Sequence, residues 1–314
     1  MKENKYLPEG ALISSDTNSY YLSSVKMLEK AMTDNIILEA RAISCSAENL
    51  DLTVDLGCAV GIIPKQLAAM TDNGENPRDI AVITRVGRPV CFTVESIRDD
   101  GGKKTAILSR KRAQQMCQRD KISRLVPGDI TSAAVTHLEP FGAFVDIGCG
   151  IVSLMSVDCI SVSRISHPKD RLSKGDFIKA VVKSVDHETG RVYMTLREML
   201  GTWEENAAKF DIGSTVVGKI RSIEDYGIFV ELSPNLAGLA ERREGIALGD
   251  CCAVYIKNMI KERMKVKLSI IDSYAADPPK TPLEYFIDTE NTKHLSYWRY
   301  SPEGCPKIIE SVFD

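Results

Sequence analysis

The sequence predicts a mainly β fold: three tandem five-stranded barrels joined by short helices. Three observations predict it. The stretch "FGAFVDIG" (Phe141 to Gly148) returns as "YGIFVEL" (Tyr226 to Leu232), and the same offset of 85 residues aligns Gly128 with Gly213, Glu139 with Glu224 and Phe144 with Phe229. A match of that length marks an internal repeat. A weaker copy lies upstream, where "LTVDLGCAVGIIP" (Leu52 to Pro64) aligns with "AFVDIGCGIVSLM" at an offset of 91. In every copy the apolar residues alternate: Leu52, Val54 and Leu56; Ala143, Val145 and Ile147; Ile228, Val230 and Leu232. A period of two marks a strand with one buried face, and a slip of one residue would expose the whole set.

Taken in order, residues 1–34 form an extension whose "SSVKMLEKAMT" reads as a helix, and 35–110 form the first, degenerate barrel. A basic helix, "LSRKRAQQMCQRDKIS", links it across 111–126 to the second barrel at 127–197, and such a helix is usually a solvated face. The second barrel reads as strands at 130–137, 142–147, 151–156, 176–186 and 191–197, the last two a hairpin around the turn Asp186 to Gly190. A long segment, "SVDCISVSRISHPKDRLSKG", separates strands three and four, and it is 11 residues shorter in the third copy. Five short strands with a long three-to-four connection suggest a closed Greek-key barrel of the OB type. The stretch "REMLGTWEENAAKF" has apolar residues at helical spacing and links, across 198–211, to the third barrel at 212–272. Residues 273–314 read as an extended tail, with three prolines between 278 and 282 and with the aromatics of "HLSYWRYSP" packed on the third barrel.

The 314 residues are 44% hydrophobic and 26% charged, the balance of folded domains, and no apolar run approaches a membrane span of about 18 residues. The polar N-terminus lacks an apolar signal core, so the expected location is the cytoplasm. Nine cysteines without a C-x-x-C pair fit reduced, small core residues. With 40 basic and 43 acidic residues the chain is not globally basic, so any nucleic-acid site must gather its cations on particular faces.

The outward positions are the informative ones. Alternation puts Phe144 and Phe229 on the outer face of strand two, with Phe141 and Tyr226 in the preceding loop. In the third copy Lys219 and Arg221 on strand one, Tyr255 and Lys257 on strand four, and Lys265 and Lys267 on strand five also point outward. The second copy offers Lys179, Lys183, Arg191 and Tyr193. Rings beside cations meet the two needs of single-stranded nucleic acid, since bases stack on aromatics and phosphates seek positive charge. The first copy departs: Thr53 and Leu50 replace the aromatics, and Glu95 stands where Lys183 and Lys257 stand. It reads as a structural or docking barrel.

These residues carry a resemblance. "VTHLEPFGAFVDIG", "VDHETGRVYMTLRE", "IEDYGIFVEL" and "KVKLSI" resemble the RNA-binding repeat of ribosomal protein S1, over residues 35–272, and "HPKDRL" and "GTWEEN" make the chain similar to short three-repeat S1-like proteins of Gram-positive bacteria. The resemblance implies S1-type OB barrels that bind single-stranded RNA, messenger RNA included, and it brings in the small ribosomal subunit as a partner. It maps the family's binding aromatics to Phe141, Phe144, Tyr226 and Phe229, and its Asp and Arg beside the last hairpin to Asp186 and Arg191. Lys265 replaces that Arg in the third copy, where the Asp is missing. Ser156 and Glu241 stand where a histidine commonly follows strand three.

No catalytic constellation accompanies this pattern, and it calls for no metal or cofactor. His137, His167, His187 and His294 are scattered, and Asp146 and Glu231 stand alone on their faces without a partner carboxylate. The run "DDGGKKT" at 99–105 lacks phosphate-loop spacing and reads as a hairpin turn. The sequence therefore points to a non-enzymatic RNA-binding protein. The rival is a scaffold whose outward aromatics anchor protein or ribosome contacts.

Overall fold

The computed structural model describes residues 5–71, 74–186, 188–276 and 282–313. Three closed five-stranded barrels follow one another. The first comprises β1 (Leu38–Cys45), β2 (Leu52–Asp55), β3 (Val60–Ile63), β4 (Pro89–Asp100) and β5 (Lys103–Ser109). The second comprises β6 (Ile130–Glu139), β7 (Gly142–Asp146), β8 (Val152–Ser156), β9 (Phe177–Asp186) and β10 (Arg191–Thr195). The third comprises β11 (Thr215–Glu224), β12 (Gly227–Ser233), β13 (Leu236–Ala240), β14 (Cys251–Ile260) and β15 (Lys265–Tyr274). Strands three and five run parallel and close each barrel, through Val60 with Thr105, Leu154 with Tyr193, and Leu239 with Lys267.

The alternating apolar residues fill the barrels as the period of two requires. Leu52, Val54, Ala143, Val145, Ile228 and Val230 are buried. The 99–105 run is a hairpin: Gly101 and Gly102 both have positive φ and join β4 to β5, as a two-residue turn between twisted strands demands.

The helices are shorter than the sequence suggests. α1 (Asp16–Leu22) and α2 (Val25–Thr33) precede the first barrel, capped by the side chains of Ser15 and Ser24. α3 (Asp79–Ile83) lies between β3 and β4, and α4 (Arg110–Asp120) follows β5. Instead of one helix over "REMLGTWEENAAKF", a 3-10 turn at Arg197–Leu200 ends at Gly201, whose φ of 81° stops it. α5 (Trp203–Ala207) restarts behind a capping box of Thr202 and Glu205. The tail is not simply extended: β16 (Tyr297–Arg299) pairs with β17 (Glu310–Val312), and Trp298 and Tyr300 are buried in the core of the third barrel. Of the prolines at 278–282, only Pro282 falls within the described residues. Among the described residues no helix is long and apolar enough to cross a membrane.

The chain forms two compact units. One holds the first barrel together with Ser132–Ala134 and Asp146–Val152, and the other holds the rest of the second barrel, the third and the tail. Within the first unit the basic helix keeps a solvated face, with Arg112 and Arg119 exposed, but its first basic residue turns inward. Arg110 on α4 is buried and donates two hydrogen bonds to Glu9, at 2.6 and 3.0 Å. Arg112 pairs with Glu95 at 3.1 Å, and Lys121 donates to the carbonyls of Tyr6 and Ile147.

Candidate nucleic-acid interface

The two best-matched repeats build the same small structure. In each, two aromatic rings flank a glycine: Phe141 and Phe144 around Gly142, Tyr226 and Phe229 around Gly227. The glycine is needed because strand three passes close by. A Cβ at Gly142 would lie 2.5 Å from the Met155 carbonyl oxygen, and one at Gly227 would lie 2.5 Å from that of Ala240. The rings meet edge to face, with centroids 6.0 Å apart at 90° in the second barrel and 6.1 Å apart at 87° in the third. Edge-to-face contact satisfies the ring quadrupoles and leaves a flat face uncovered. Phe141 is 56% exposed and Tyr226 70%, while Phe144 and Phe229 are half-buried.

Strand pairing sets the neighbours. Phe229 lies opposite Leu239, and Leu239 opposite Lys267, so ring, aliphatic side chain and ammonium form one row across β12, β13 and β15. At about 4.8 Å per strand, Lys267 stands roughly 10 Å around the barrel from Phe229. In the second barrel Leu154 pairs with Tyr193 and Tyr193 with Ser184, so Tyr193 holds the place of Lys267. Arg191 and Lys265, two residues earlier, are exposed on the same edges. Asp186 caps the hairpin turn, accepting from the amides of Glu188 and Thr189 and from the Thr189 hydroxyl; position 187 lies outside the described residues. Tyr255 is exposed but pairs with Thr215 and Ser269, and Lys219 sits opposite Glu231 and Cys251, so both lie apart from the ring pair.

Arg221 differs from the outward reading, while Lys183 and Lys257 are exposed but paired. Arg221 falls in the register shift between Ile220 and Ser222, and such a bulge re-aims the extra side chain. It donates to both oxygens of Glu231, at 2.7 and 3.1 Å, and pairs with Asp170 at 3.1 Å. Burial opposes its charge, but the Glu231 hydrogen bonds and charge outweigh burial and hold its pKa above the usual value. Glu231 is 9% exposed and also accepts from Arg171, so it does not stand alone. Lys183 and Lys257 occupy register shifts on strand four, where Lys183 donates to the Cys159 sulfur at 3.0 Å and Lys257 pairs with Glu241 at 3.0 Å. The Lys179 amide donates to the Tyr285 hydroxyl, which brings the tail against that strand.

Asp146 is corrected in the same way. It is 2% exposed and accepts from the amides of Glu9, Gly148 and Gly150. Its pKa is pushed up to about 7, by burial first and then by the Glu9 charge. The carboxylate beside the strand aromatic thus anchors the N-terminal segment and does not face water.

Residues 125–197 match the family profile described as "S1 RNA binding domain". The small ribosomal subunit protein bS1 of Staphylococcus aureus is 29% identical over 96% of this chain and 78% of its own length. The chain carries an S1 domain and is similar to bS1 along nearly its whole length. The bS1 protein of Leuconostoc lactis is 30% identical over 74% of this chain, and that of Rhodopseudomonas palustris 29% identical over 60%. The chain matches 55% and 32%, respectively, of the lengths of those two S1 relatives. Among solved structures it is similar to a multidomain protein with nucleic acid binding domains from Streptococcus pneumoniae, at 15% identity over 76% of this chain and 73% of that one, with a TM-score of 0.25.

Two S1-repeat neighbours of the rings escaped the sequence reading. The imidazole of His137 leans on Phe144, with centroids 6.3 Å apart. The repeat offset could have found it, because His137 aligns with Ser222, which pairs with Phe229. Arg164, from the connection between β8 and β9, lines a cavity with Tyr226 and Phe229. No local pattern marks it, since the contact is made between barrels. Among the described residues, no group of three or more His, Cys, Asp or Glu is placed to hold a metal.

Proposed function

We propose that the chain is an RNA-binding protein of translation, and that its second and third barrels bind single-stranded RNA, messenger RNA included, with little sequence preference. The observation that carries this reading is the repeated edge-to-face ring pair, Phe141 with Phe144 and Tyr226 with Phe229, with a ring face open in each barrel. The S1 domain match and the bS1 relatives support it. Bases stack on the open rings, and stacking tolerates any base because each has a π-face. Phosphates are neutralised by Arg191 in the second barrel and by Lys265 and Lys267 in the third, all exposed. The small ribosomal subunit, for which the bS1 relatives are named, is the proposed partner, and the cytoplasm the proposed location.

Salt dependence tests the electrostatic half. With about four phosphates contacted, log K for a short unstructured RNA should fall against log salt with a slope near −3, at about 0.7 per phosphate on a single strand. A flat salt response would remove phosphate neutralisation from the account.

A further inference from the structure

The long connection between β8 and β9 is fastened to the third barrel. The Val162 amide donates to the Asn235 side chain at 2.9 Å, and Val162 packs against the third barrel's core. Further along, Arg171 donates to Glu231 at 2.5 Å, and Asp170 pairs with Arg221. Ile165, between these anchors, is buried. Arg164 lies in this fixed stretch, yet its own side chain is exposed and makes no hydrogen bond or ion pair among the described residues.

Arg164 faces a cavity of about 190 Å³ that it shares with Arg221, Ser222, Glu224, Tyr226 and Phe229. The rings supply a stacking surface. Arg221 supplies no net charge, because Glu231 and Asp170 neutralise it. Glu224 repels phosphate from its own side. Arg164 is therefore the unneutralised cation at this cavity among the described residues, and its backbone is already ordered, so binding costs side-chain entropy but little backbone entropy.

We propose that Arg164 is a phosphate-binding residue of the third barrel's RNA site, contributed by the second barrel. The site is then composite. A nucleotide stacks at Tyr226 and Phe229, its phosphate lies toward Arg164, and its base edge lies toward Glu224, whose carboxylate accepts from base N–H groups. The third barrel's own connection between strands three and four (241–250) is half as long as that of the second (157–176), and this cation comes from its neighbour.

This inference rests on the RNA-binding reading above, and the test separates the two. The full chain is titrated with an unstructured RNA of about 12 nucleotides, within the range that OB folds cover, across a salt series. Arg164→Ala should lower the steepness of the salt slope by about 0.7 and weaken binding about fivefold at 0.1 M salt, while Arg164→Lys keeps most of both. In a Phe229→Ala background the Arg164→Ala loss should shrink, because the two residues hold one nucleotide. Wild-type affinity and slope for Arg164→Ala, beside a weakened Phe229→Ala, overturns the composite site alone, and so do fully additive losses. A wild-type chain that fails to bind the RNA removes both readings together.

Discussion

Phe144→Ala and Phe229→Ala should each weaken the binding of short single-stranded RNA by roughly tenfold or more, because stacking of a base on an aromatic side chain contributes about 1–3 kcal/mol. Each ring is half-buried and meets Phe141 or Tyr226 edge to face. Truncation removes a stacking face and also frees its partner ring to move, so the loss should exceed that of Phe141→Ala or Tyr226→Ala. For Phe144→Ala the salt slope should stay at its wild-type value, since no cation is touched. Isothermal titration of the two variants measures affinity and slope together. Unchanged affinity in both would count against stacking and in favour of the protein-docking rival.

The second large effect concerns stability. Glu231→Gln should destabilise the third barrel by about 3–5 kcal/mol, because it leaves the buried Arg171 guanidinium without a carboxylate and Arg221 with Asp170 alone. The Arg171 and Glu231 side chains are 4% and 10% exposed, and Arg221 donates to both Glu231 oxygens. Lys257→Ala provides the contrast. It breaks an ion pair of similar length to Glu241, but those side chains are 40% and 87% exposed, and the change should stay within about 1 kcal/mol. Urea unfolding followed by Trp fluorescence reads both variants, since Trp203 and Trp298 lie in the third barrel's core. Equal midpoints for the two would mean that the Arg171–Glu231–Arg221 cluster behaves as an ordinary surface pair.

The three barrels were legible because a period of two in burial leaves a direct trace in residue choice. Ala143, Val145, Ile228 and Val230 all point inward as the alternation required. The aromatic positions were legible for a related reason: Phe141 and Tyr226 precede glycines whose close approach to strand three fixes the motif. The fate of the outward charges was not legible. Alternation assigns a face, but it does not say what covers that face. The N-terminal segment covers Asp146, and the connection between β8 and β9 covers Glu231. Register shifts add a second blind spot. At Arg221, Lys183 and Lys257 one extra residue interrupts the ladder, and its side chain finds a local partner that no periodicity encodes. The same holds for His137 and Arg164, which reach the rings through contacts made across strands or between barrels.

The central claim is that single-stranded RNA lies across the ring pairs of the second and third barrels. Photo-crosslinking of an unstructured 4-thiouridine RNA to the full chain, followed by peptide mapping, tests it most directly. The account predicts crosslinks in the peptides that carry Phe141 and Phe144 and those that carry Tyr226 and Phe229. Crosslinks confined to the first barrel or the tail would contradict it.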